Sequence, residues 1–278
     1  MQEISEKIRQ EARRLLEEQV VDVIVGYERG WDDDVVTPCF VRDESEVEGM
    51  VFNEQCTHNL ANYLVGREGL LTSRLRRTDE KVRVGLVARP GTLRAIVGLI
   101  QERQIKREDV VILGIVDGTP VGIEPDVTVG RIEEDVEKEE RIRARIQELE
   151  QMSPSERWAW WEREFAKCIR CYACRQACPF CYCERCIVDE NQPQWIGRSP
   201  SNKNNRSWNA IRALHLVGRC IGCGECERVC PMDIPLSLIN TRLASRVEEA
   251  FEYVAGRDVE ASPALNAFQA GDPDAFIK

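Results

Sequence analysis

No stretch of the chain approaches the roughly 20 consecutive apolar residues that a membrane-spanning helix needs. The opening residues Met1-Gln2-Glu3-Ile4-Ser5-Glu6-Lys7 also lack the apolar centre of a signal peptide, so the cytoplasm is the expected compartment. A surplus of basic charge is missing too: 38 Lys and Arg stand against 48 Asp and Glu, a formal net charge of -10. Phosphate attraction needs the opposite sign, so nucleic acid is not an expected partner. Neither a G-x-G-x-x-G fingerprint nor a P-loop occurs, and no nucleophile–base constellation is recognisable. Of the two histidines, His58 gives no ligand signal, and His215 is expected to pack or hydrogen-bond on a helix rather than to ligate. What remains, 43% hydrophobic and 31% charged residues over 278 positions, is the composition of a globular chain with two moderate folding units.

Cysteine is abundant. Thirteen are present, eleven of them between Cys168 and Cys230, leaving Cys39 and Cys56 alone in the first half. A reducing compartment keeps thiols free of disulfides, so metal ligation accounts best for such a cluster. Cys168, Cys171, Cys174 and Cys178 followed by Pro179 spell C-x2-C-x2-C-x3-C-P, and Cys220, Cys223, Cys226 and Cys230 followed by Pro231 repeat it. This spacing lets three thiolates wrap one face of a 4Fe-4S cubane while the fourth reaches the other cluster. The expected sets are therefore Cys168, Cys171, Cys174 and Cys230 on one cluster, and Cys220, Cys223, Cys226 and Cys178 on the second. Structural zinc also accepts four thiolates, but a single tetrahedral ion requires neither a duplicated triplet nor a terminal Cys-Pro. Cys181, Cys183 and Cys186 lie just beyond the first motif. They read as buried thiols or exchangeable ligands, or, joined by Cys39 or Cys56, as part of a third site.

Periodicity organises the rest. Ile4, Ile8, Ala12, Leu15 and Leu16 form one face of an amphipathic helix. Val20 to Val25 reads as a covered strand stopped at Gly26, and 28–54 as loops and short strands. A strand from Val82 to Ala88, a helix from Thr92 to Arg103 and a strand from Val110 to Val116 make a βαβ unit with parallel strands. The loops Arg89-Pro90-Gly91 and Asp117-Gly118-Thr119-Pro120 sit where such sheets bind a flavin or nucleotide, but with no phosphate-binding motif present plain turns and caps explain them better. Residues 131–152 read as a solvated connecting helix with Glu134/Lys138, Glu137/Arg141 and Glu139/Arg143 four apart. Ser153 and Pro154 start another helix, on which Trp158, Trp161 and Phe165 share a face. Asn191 to Arg206 reads as a surface loop, Ser207 to Val217 as a helix, and Leu236 to Val254 as an apolar-striped helix. The expected fold is an α/β N-terminal domain (1–130), the connecting helix (131–152), a mainly α-helical dicluster 4Fe-4S ferredoxin domain (153–256) and a tail (257–278).

The run Glu156-Arg157-Trp158 through Cys168-Ile169-Arg170-Cys171-Tyr172-Ala173-Cys174-Arg175-Gln176-Ala177-Cys178-Pro179, with His215 to Cys220 and Cys230 to Leu236, resembles the beta-subunit family of coenzyme F-420-reducing hydrogenases and formate dehydrogenases. The second motif also resembles the helical ferredoxin modules of heterodisulfide reductase. More faintly, Val23 to Tyr27, Asn53 to Cys56 and Leu93 to Ile100 resemble the family's N-terminal α/β domain. That family commonly carries a Lys-Gly-Cys-Asp-like element where this chain has Ala88-Arg89-Pro90-Gly91-Thr92, so no catalytic residue is carried over. The resemblance implies an electron-transfer subunit with two 4Fe-4S clusters. It would relay single electrons between a hydrogenase, formate dehydrogenase or heterodisulfide-reductase-like flavoprotein and another redox centre. Two other readings are a beta subunit that binds FAD or another flavin and reduces a deazaflavin or nicotinamide acceptor, and a docking scaffold whose α/β domain has lost its ligand site.

Overall fold

The computed structural model describes residues 1–32, 35–66, 69–72, 82–118, 121–133, 136–264 and 270–271, which fall into two units. The Glu134/Lys138 pair, Thr119 and Pro120 of the second loop, and positions 265–269 and 272–278 of the tail lie wholly or partly outside the described residues. Among those described, no helix is long and apolar enough to cross a membrane.

The first unit comprises Met1–Glu134 and Gly256–Ala261. Its sheet contains β1 (Val23–Arg29), β2 (Val36–Val41), β3 (Val84–Ala88), β4 (Val110–Val116) and β5 (Val127–Arg131) in the order β2-β1-β3-β4-β5. Strands β1, β3, β4 and β5 are parallel, and β2 lies antiparallel on the edge against β1. All five residues of β3 are buried, the continuous apolar run expected of a parallel strand covered on both faces. Pro38 sits in β2, where an edge strand tolerates the missing N–H. Between β3 and β4 runs α2 (Pro90–Gln101), which buries Leu93, Ala95, Ile96, Val97 and Leu99. The βαβ unit is thus present. Contrary to expectation, β1 does not stop at Gly26 but continues to Arg29. Gly26 is instead the point of close approach, because a Cβ there would run into Met50 Cε.

Helix α1 (Gln2–Glu17) buries Ile4, Ile8, Ala12 and Leu15. Ile4 rests against Gly130 of β5, where an added Cβ would come within 2.6 Å of Ile4 Cγ1. On the same helix the Ser5 hydroxyl donates to Phe52 O (3.1 Å) and accepts from Phe52 N (2.9 Å). The segment Gly256–Ala261 returns to this unit: Gly122 N donates to Arg257 O, and Gln101 Nε2 donates to Asp258 O (2.8 Å) and Ala261 O (2.7 Å).

The described residues of the second unit contain helices and loops but no strand. Its longer helices are α3 (Val136–Gln151), α4 (Pro154–Ala166), α6 (Asn202–His215) and α8 (Leu236–Phe251); α5 (Ala173–Gln176) and α7 (Glu225–Arg228) are single turns. Helix α3 is less solvated than its charge suggests. Ile142, Ile146 and Leu149 form a stripe at helical spacing, Leu149 is buried, and the helix packs on α8. A capping box opens α4, with Glu156 N donating to Ser153 Oγ and Ser153 N donating to Glu156 Oε2 (2.9 Å). Phe165 is buried and Trp161 stacks on it at 5.3 Å, but Trp158 stays 47% exposed beneath the Arg206 guanidinium. Helix α6 begins five residues before the expected Ser207, inside the supposed loop. Ser201 caps it through Asn204 N, and its first turns are polar because Asn205 and Asn209 hydrogen-bond inside the unit.

Candidate metal centre

The two cysteine motifs share a backbone device. Arg170 and Tyr172 have φ of 62° and 61°; at the matching places of the second motif, Gly222 and Gly224 have φ of 70° and 78°. Alternating a residue of this conformation with its neighbours turns successive N–H groups toward one side, a concavity that suits an anionic group. Glycine adopts the conformation without a steric penalty, whereas Arg170 and Tyr172 each cost roughly 1–2 kcal/mol. Their surroundings hold them there. The Arg170 side chain is 6% exposed, donates to Tyr172 Oη (2.9 Å), Asn204 O (2.8 Å) and Gly197 O (3.2 Å), and lies over the Tyr172 and Trp208 rings. The turns α5 and α7 follow, carrying the third cysteine of each motif, Cys174 and Cys226, both buried. These two turns pack against each other.

Two cavities, of about 330 and 420 Å³ including the solvent-open space at their mouths, lie between the motifs. Cys168, Cys171, Cys174 and Cys230 line the smaller, along with Trp208 and Met232. The larger is lined by Cys178, Cys220, Cys223 and Cys226, along with Arg212 and Asn240. Each cavity therefore takes three thiols from one motif and the fourth from the other. Around them Phe165, Val188, Ile196, Trp208, Ile234 and Leu236 form the apolar core of the unit.

Burial sets the thiol chemistry. It pushes Cys174 up to about 11 and Cys223 up to about 12, and it raises Cys220 further. Burial raises Cys226 as well, while the neighbouring Arg212 cation opposes it. Without metal these thiols are neutral near pH 7, so ligation must displace protons. A four-thiol donor set around a partly open, largely apolar cavity fits a cubane 4Fe-4S cluster. Polar residues frame the donors. Asn205 Nδ2 donates to Cys168 O (2.7 Å), Arg212 Nη2 to Cys174 O (2.9 Å) and Asn240 Nδ2 to Cys226 Sγ (3.5 Å). Sequence reading passed over all three, since a polar residue inside a helix normally reports solvent; each is buried at 1%, 4% and 4% exposure respectively.

The other cysteines divide. Cys181 is hydrogen-bonded to Cys178, an interaction that raises Cys178 and lowers Cys181. Cys183 is exposed and Cys186 half-buried. Among the described residues no group of three or more His, Cys, Asp or Glu side chains is placed to hold a metal ion, and none of these three thiols lines either cavity. Cys39 and Cys56 are core thiols of the first unit: Cys39 lies beside Gly26, and Cys56 Sγ accepts from Asn53 N (3.2 Å). His215 is exposed at the end of α6.

Comparison with known proteins addresses this unit. Residues 164–234 match the 4Fe-4S dicluster domain. That span contains both cysteine motifs and both cavities' thiols. The chain carries an iron–sulfur domain. In its C-terminal region it is 36% identical over 106 residues to the F420-dependent formate dehydrogenase subunit beta of Methanocaldococcus jannaschii, covering 38% of this chain and 27% of that protein. It is likewise 34% identical over 105 residues to the F420-dependent formate dehydrogenase 1 subunit beta of Methanococcus maripaludis, covering 38% and 26%. The similarity thus spans about a quarter of the length of these relatives.

Proposed function

We propose that the chain is the iron–sulfur electron-transfer subunit of a formate-dehydrogenase-type redox complex, relaying single electrons through two 4Fe-4S clusters. The observation that carries this reading is the division of eight thiols between two adjoining cavities, four to each. One cluster would be held by Cys168, Cys171, Cys174 and Cys230, the other by Cys220, Cys223, Cys226 and Cys178. The dicluster match over residues 164–234 supports 4Fe-4S clusters rather than zinc. Bound cubanes would supply reversible one-electron transfer. The chain's own residues do the rest: the left-handed turns at Arg170, Tyr172, Gly222 and Gly224 orient the thiols, and Phe165, Trp208, Ile234 and Leu236 exclude water. The partner is proposed from the names of the two relatives alone.

The test is anaerobic purification with iron and sulfide quantified, followed by reductive titration under electron paramagnetic resonance. About eight irons per chain and two cluster signals are expected. Cys230→Ser should alter the signal that Cys168→Ser alters, and Cys178→Ser the one that Cys220→Ser alters. Zinc in place of iron, a single cluster, or Cys230→Ser acting with Cys220→Ser would overturn the reading.

A further inference from the structure

Arg212 is the one buried cation on the walls of the larger cavity, among the described residues. It projects from α6, is 4% exposed, and lines the void together with Cys178, Cys220, Cys223 and Cys226. Its Nη2 donates to the carbonyl of Cys174, a residue of the other cavity. Its charge also acts on the thiols of Cys178, Cys174, Cys181 and Cys226. The side chain therefore bears on both thiol sets at once.

No carboxylate pairs with Arg212 among the described residues, since Glu225, the acid on the same wall, is paired with Arg228. Arg212 Nε is buried without a hydrogen-bond partner. A buried, incompletely bonded cation is strongly unfavourable unless an anion faces it. A thiolate-ligated cubane is such an anion, and it gains a further negative charge on reduction. A fixed cation beside it favours the reduced form, so it raises the reduction potential. Asn240, whose amide reaches Cys226 Sγ, acts on the same side in the same direction.

We propose that Arg212 is a positioning residue shared by both cluster sites: its guanidinium holds the Cys174 turn against the second motif and sets the potentials of the two clusters together, the one in the larger cavity more strongly. The proposal rests on the two-cluster reading above. It assigns the chain an electrostatic link between the clusters in addition to their proximity. Reduction of one cluster draws on the charge that stabilises the other, so the second electron enters less readily than it would beside a cation of its own.

The test uses the full chain purified anaerobically, with iron counted first and midpoint potentials read by dithionite titration under electron paramagnetic resonance. Wild-type chain with fewer than two clusters would sink the underlying reading and leave Arg212 without a role. Given two clusters, Arg212→Gln should shift the reduction equilibrium of the larger-cavity cluster at least tenfold toward the oxidised form, about 59 mV, with a smaller shift of the same sign in its neighbour. Arg212→Lys, which keeps the charge, should stay within threefold of wild type at both clusters. Retention of iron by Arg212→Gln with both potentials unchanged overturns the proposal. So does a Lys variant that shifts as far as the Gln variant, or loss of iron from both, because either outcome makes the side chain structural rather than electrostatic.

Discussion

Removing the Arg170 side chain tests how the first cysteine motif keeps a backbone that the second achieves with glycine. Arg170→Ala deletes a 6%-exposed guanidinium together with its bonds to Tyr172 Oη, Asn204 O and Gly197 O. Hydrogen bonds to a charged donor contribute about 1.5–3 kcal/mol each and do not add, and the contact over Trp208 at 5.7 Å contributes about 0.5–2 kcal/mol. Solvation of the freed groups recovers part of this, so the expected loss is about 3–5 kcal/mol, at the upper end for a single substitution. Arg170→Gly loses the same contacts but relieves the left-handed strain at φ 62°, so it should be about 1 kcal/mol less damaging than Arg170→Ala. Five of the six tryptophans lie between Trp158 and Trp208, so tryptophan emission during an anaerobic urea titration reports on the unit concerned. With a slope near 2 kcal/mol/M, Arg170→Ala should lower the midpoint by about 1.5–2.5 M. A shift under about 0.3 M, or a glycine variant less stable than the alanine variant, would refute the reasoning.

Further tests address the same backbone device and the first unit's core. Gly222→Ala puts a methyl at φ +70° on the wall of the larger cavity, so it should cost the conformational term of roughly 1–2 kcal/mol in the same titration and lower the iron retained by the chain. Gly26→Ala drives a methyl into Met50 Cε and should destabilise the α/β unit by about 1–3 kcal/mol. Combined with Met50→Ala it should cost less than the sum of the two single changes, measured by circular dichroism in a double-mutant cycle. Burial pushes the Cys39 thiol up from 9.0 to about 12. A raised folded value means that its contribution is fully present below pH 9 and is lost as pH climbs toward 12, at up to about 1.4 kcal/mol per pH unit. The α/β unit of wild type should therefore lose stability over that range faster than Cys39→Ala does, and in native protein at pH 8 iodoacetamide should leave Cys39 unmodified.

The parts of the fold legible in sequence are those in which neighbours along the chain decide the outcome. Apolar runs and turn residues place β3, α2 and β4, and the Ser153 to Glu156 capping box places the start of α4. Polar composition misled where burial depends on distant partners. Asn202 to Arg206 looks like loop until Asn205 is seen bonding Cys168 O, 37 residues away. The charged run of α3 looks solvated until α8 covers its Ile146 and Leu149 side. Gly26 looks like a strand stop until Met50 occupies the space beside it.

The cysteine spacing by itself determined the class of chemistry, because a thiolate's softness as a ligand and the reach of a two-residue turn are local properties that need no fold to express them. That Arg170 replaces a glycine's freedom with a buried clamp, and that Arg212 brings a buried charge to both thiol sets, were decided by tertiary structure alone. The reason is that burial and unneutralised charge are properties of the packed environment. A guanidinium on α6 is ordinary in sequence, and it acquires its meaning only where folding removes water from around it.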